Sequence, residues 1–148
     1  MKTICILKNI KSAPISYLGV DPEPRPGLPS GHIPGSFSLP FNKFTKPHKI
    51  TSDSPLSSYP QYLSSGYATL RTPEELSEEI RTSLGTEYGE QILSGQRRVV
   101  TTCGSGMTAA VIWLGLSSIW EAQQRDPPPL ALYDEVWSSH HSDPRGSN

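Results

Sequence analysis

Arg98-Val99-Val100-Thr101-Thr102-Cys103-Gly104-Ser105-Gly106-Met107-Thr108, with the apolar run Ala109 to Trp120 behind it, decides the architecture. Arg98 to Thr102 contains two adjacent valines and two threonines, the composition of a buried strand. Cys103 to Thr108 holds two glycines and predicts a tight loop. Ala109 to Trp120 is apolar nearly all round, which predicts a helix buried on most of its faces. Pro127-Pro128-Pro129 closes the connection, and Leu130 to Tyr133 reads as the next strand. A strand, a helix and a second strand in that order imply parallel pairing through a crossover, and so an α/β fold with a central parallel sheet. In such sheets ligands bind beyond the carboxyl ends of the strands. Cys103 stands at that place.

Upstream, Thr72-Pro73-Glu74-Glu75 carries the signals of a helix start. Thr72 suits the N-cap, Pro73 the first helical position, and Glu75 completes a capping box. Leu76, Ile80 and Leu84 then recur on one face, and Gly85 is the expected stop. Thr3 to Leu7 alternates as a short strand, and Ser36 to Phe41 as a second one. Between these, Asp21 to Pro29 has four prolines, which remove backbone donors and leave a loop or a polyproline-like segment. Gly31 to Gly35 reads as a turn. Lys43 to Leu70 is rich in Ser, Pro, Thr and Tyr, has no helical period, and is expected to be a long surface loop. Residues 138–148 are expected to be a polar tail.

The chain has 148 residues, 34% hydrophobic and 18% charged, with 15 prolines and 12 glycines. That length suits one domain, and the composition implies that much of it is loop. Its 13 basic and 14 acidic residues nearly cancel. Nothing electrostatic therefore points to nucleic acid or to a membrane surface as partner. No apolar run approaches the roughly 20 residues of a membrane span. Lys2, Lys8 and Lys11, with no acid among them, have the charge bias of a transit peptide. The apolar core Ile4 to Leu7 is too short for a secretory signal and reads as an ordinary strand. Cys5 and Cys103 do not form a disulfide scaffold pattern, so a reducing compartment is the expectation. His140-His141 has no third ligand nearby in sequence. No metal or cofactor is expected.

The chemistry resides in the Cys103 loop. Gly104 and Gly106 permit a turn whose backbone N–H groups face inward, ahead of a helix N-terminus, and such a nest stabilises an anion. The anion here is the Cys103 thiolate. Ser105 and Thr108 add hydroxyl donors for the sulfur or for a substrate oxygen. A cysteine phosphatase needs an arginine six positions after the nucleophile, where this chain has Ala109. Without a cation in the loop, phosphoryl transfer is disfavoured. A sulfur carrier requires only a thiolate, a compact cradle and donors for a persulfide anion. The plainer alternative is that Cys103 is a buried structural cysteine.

The segment Cys103-Gly104-Ser105-Gly106-Met107-Thr108-Ala109-Ala110 resembles the active-site loop of the mercaptopyruvate branch of the rhodanese family. Pro22-Glu23-Pro24-Arg25-Pro26-Gly27, with Gly31-His32-Ile33-Pro34-Gly35 and Leu39-Pro40-Phe41, resembles the family's segment before and along its second strand. Leu132-Tyr133-Asp134 with Trp137 resembles its C-terminal motif. Three motifs in family order make the match specific, and it covers roughly residues 17–144.

The resemblance implies a rhodanese-like three-layer domain over residues 16–148, with a central parallel sheet and an atypical or truncated first strand in residues 1–15. It implies a Cys103 persulfide, formed from a small-molecule sulfur donor and passed to cyanide or to a thiol such as thioredoxin or glutathione. Ser105 would assist proton movement at the leaving enolate. Arg25 would bind the substrate carboxylate, while Gly104, Gly106, Met107 and Thr108 would line the persulfide. Thiosulfate-specific members place basic residues after the cysteine, and Gly104-Ser105 favours mercaptopyruvate instead. Cytoplasm or mitochondrion is the implied location.

The chain also departs from the pattern. It corresponds to the second, cysteine-bearing domain of a two-domain arrangement. Ile10-Lys11-Ser12 stands where the family has an Asp-x-Arg pair, and Ser16 where it has a second substrate arginine. Glu135-Val136 and Ser139-His140 replace residues expected near the C-terminus. These departures keep open a non-catalytic sulfur carrier or interaction module, and a fragment with little turnover.

Overall fold

The computed structural model describes residues 4–7, 35–59, 66–103, 106–126 and 130–133. Its main sheet has four parallel strands in the order β2-β1-β5-β6. These are β1 (Ile4–Leu7), β2 (Phe37–Ser38), β5 (Val99–Thr102) and β6 (Leu130–Tyr133). A second, antiparallel pair joins β3 (Thr45–His48) to β4 (Tyr67–Leu70). Among the described residues three α-helices accompany them: α1 (Pro73–Leu84), α2 (Thr86–Leu93) and α3 (Met107–Ala122). The α/β class and the parallel central sheet agree with the sequence reading.

The expected strand at the start of the chain forms, and it takes a central position. Ile6 pairs with Phe37 on one side and with Thr101 on the other. A parallel ladder needs backbone groups and an apolar, β-branched run. Ile4 to Leu7 supplies both, although the segment around it departs from the family pattern.

All three helices contribute to one core. Leu76 and Ile80 of α1, Ile92 of α2, and Ile112, Leu116, Ile119 and Trp120 of α3 cluster with Val99 of β5. Trp120 is fully buried, and its indole N–H donates to the Leu93 carbonyl. Each such side chain contributes about 1.5–3 kcal/mol through removal from water. The α1 capping box is present as expected. The Thr72 N–H donates to the Glu75 carboxylate, and the Glu75 N–H to the Thr72 hydroxyl.

Four boundaries differ from expectation. Lys43 to Leu70 is not a structureless loop, because it contains β3, β4 and a 3-10 turn at Pro55–Ser58. Its anchor is Phe44, which is wholly buried against α3. Gly115 makes the room: a Cβ there would lie 2.4 Å from the Phe44 ring. Arg71 secures the other end, its Nε donating to the Lys43 carbonyl and its backbone N–H to that of Phe44. The strand expected over 36–41 shortens to Phe37–Ser38, and a 3-10 turn begins at Phe41, directly after Pro40. Gly85 ends α1 at φ 82°, but the chain turns at once into α2, which the sequence reading missed. Finally, α3 begins at Met107 and not at Ala109. Among the described residues, no helix is long and apolar enough to cross a membrane.

Candidate active site

Cys103 directly follows β5, at the carboxyl end of a central strand, and α3 starts four residues later. The valine- and threonine-rich strand positions it: Val99 and Thr101 are fully buried, and Thr102 nearly so. Cys103 itself is 3% exposed. Its Sγ accepts a hydrogen bond from the backbone N–H of Ala109 at 3.4 Å.

That bond is possible because the chain reverses at Gly106. Its φ of 78° lies in the left-handed region, where a side chain would be strained. Gly106 is the N-cap of α3 and offers no side-chain acceptor, and the first turn of the helix holds no acid. The positive end of the helix is therefore directed at the sulfur without a competing carboxylate of its own.

Thr108 lies in the same turn. Its Oγ1 is buried and makes no hydrogen bond among the described residues. A buried hydroxyl without a partner costs about 1–3 kcal/mol. Met107, expected to line the persulfide, is the first residue of α3, and its side chain is 75% exposed. Gly104, Ser105 and Arg25 lie outside the described residues, as do His32, Trp137 and the His140-His141 pair.

Ala109 is the contact that the sequence reading did not assign. It drew notice only as the place where a phosphatase would need arginine. The same spacing that excludes the arginine clamp brings the sixth backbone N–H to the sulfur. Arg97 falls before the opposite end of β5. It donates to the Gln91 side chain and lies 4.9 Å above the Tyr88 ring. The other cysteine is also remote along the sheet. Cys5 is in register with Val100, about 10 Å of strand short of Cys103 and beyond disulfide reach.

The ion pairs among the described residues lie elsewhere. Lys43 pairs with Glu79, Lys46 with Glu75, and Arg81 with Glu78 and Glu90. The Lys46 bond, helped by the Thr72 backbone N–H, holds the Glu75 carboxyl below its usual range. Burial raises that of Glu79, but hydrogen bonds from Lys43 and Ser83 outweigh it and the net shift is downward. None of these groups contacts Cys103.

A nearly buried sulfur that accepts a helix N–H is an arrangement that can hold an anion. A protein of Schizosaccharomyces pombe named "Probable 3-mercaptopyruvate sulfurtransferase" is 32% identical over 124 residues, 84% of this chain and 31% of that protein. The 3-mercaptopyruvate sulfurtransferase of Escherichia coli K12 is 32% identical over 116 residues, 78% of this chain and 29% of its own length. The chain belongs to the rhodanese family. The fold of this rhodanese chain is also that of the Tum1 protein from Saccharomyces cerevisiae, with a TM-score of 0.50 at 21% identity over 95% of this chain and 38% of that one. No family model matches. The chain thus spans less than a third of the two curated relatives it matches here.

Proposed function

We propose that this chain transfers sulfane sulfur through a Cys103 persulfide, with 3-mercaptopyruvate as the preferred donor. The Cys103 thiolate attacks the donor sulfur. The carbon–sulfur bond breaks, and its electron pair leaves on the enolate of pyruvate, which takes a proton with Ser105 assisting. The outer sulfur of the persulfide then passes to a thiol, such as thioredoxin or glutathione, or to cyanide. Cys103 returns as the thiolate, so no external oxidant or reductant is consumed.

One observation carries this reading: the Ala109 N–H on Cys103 Sγ at the start of α3, a helix that buries one face. It provides charge stabilisation for the sulfur without a phosphate clamp. Arg25 is assigned to the substrate carboxylate on the family resemblance, within one domain over residues 16–148 that takes its central strand from the segment before it. With no cation after Cys103, thiosulfate is the poorer donor. A reduced nucleophilic cysteine fits the cytoplasm or the mitochondrion.

A second reading is a sulfur carrier or interaction module without efficient turnover. Ser16, standing where the family has a second substrate arginine, motivates it. Pyruvate release from mercaptopyruvate in the presence of a thiol separates the two. Catalytic release supports the enzyme, and at most one pyruvate per chain supports the carrier.

A further inference from the structure

We draw no further inference here: the strongest candidate, the exposed apolar stripe of α3 that carries Met107, Trp113 and Leu114, has nothing in the structure to show what covers it.

Discussion

The backbone N–H of Ala109 reaches the sulfur of Cys103 across a glycine turn, with 3.4 Å between nitrogen and Sγ. Only proline would remove this main-chain donor, but the turn that delivers it can also be disturbed. Gly106, at φ 78°, is that turn. The position of the Cys103 sulfur against the start of α3 therefore depends on this backbone conformation.

Thr108→Val removes the buried hydroxyl that has no partner among the described residues. If the hydroxyl serves only the sulfur or the substrate, the variant should be as stable as the parent or more so, since about 1–3 kcal/mol of desolvation cost disappears. Sulfur transfer should fall, and Thr108→Ser should recover part of it. Urea denaturation and single-turnover kinetics measure the two arms. A loss of stability with unchanged transfer would show that the hydroxyl is structural.

Arg25→Ala should raise KM for mercaptopyruvate more than it lowers kcat, the pattern of lost ground-state binding. One charge-assisted bond contributes about 1.5–3 kcal/mol, or roughly 10-fold to 150-fold in apparent affinity. Pro22, Pro24 and Pro26 restrict the backbone around this guanidinium, which lowers the entropy lost on binding. Arg25→Lys should restore only part, because lysine lacks the planar fork. The check is Michaelis–Menten analysis at fixed ionic strength. An unchanged KM removes Arg25 from the site.

Gly115→Ala should destabilise the fold, because its Cβ would lie 2.4 Å from a fully buried Phe44 ring. Overpacking of this kind costs about 1–3 kcal/mol or more. Pairing it with Phe44→Leu should recover part of the loss, which distinguishes a steric conflict from a helix-propensity effect. Denaturant midpoints of the two single variants and the double variant test this directly.

Glu75 gives the acid limb of stability a specific contributor. Its folded-state pKa is lowered, first by the bond from Lys46 and then by the Thr72 N–H. A depressed carboxyl stabilises the fold above its unfolded pKa, and that share is lost as pH falls from about 4.5 through the lower folded value. Glu75→Gln should therefore reduce the difference in stability between neutral pH and pH about 3, seen as a shallower slope in urea midpoint against pH. An unchanged slope would place the acid sensitivity in other carboxylates.

How much was legible in the sequence depended on whether the signal was local. The Thr72–Glu75 capping box and the Leu76, Ile80, Leu84 stripe define α1 within a few residues, and the structure reproduces them. The strand at 99–102 and the place of Cys103 after it were equally local. The β3–β4 pair was not, because it depends on Phe44 filling the space left by Gly115, about 70 residues away along the chain. Helix α2 did leave a signal, in the spacing of Tyr88 and Ile92, but Gly85 and Gly89 obscured it. At the site, the cysteine and the missing cation were readable from residue types. The Ala109 contact was not, because a backbone donor has no letter of its own.

The most direct test of the central claim is intact-protein mass spectrometry after exposure to 3-mercaptopyruvate, followed by peptide mapping. The account predicts a gain of about 32 Da, one sulfur, on Cys103. That gain should reverse on adding a thiol, persist in Cys5→Ser, and be absent from a Cys103→Ser variant with an unchanged far-UV spectrum. A folded parent chain that gains no sulfur, or gains it on Cys5, would contradict it.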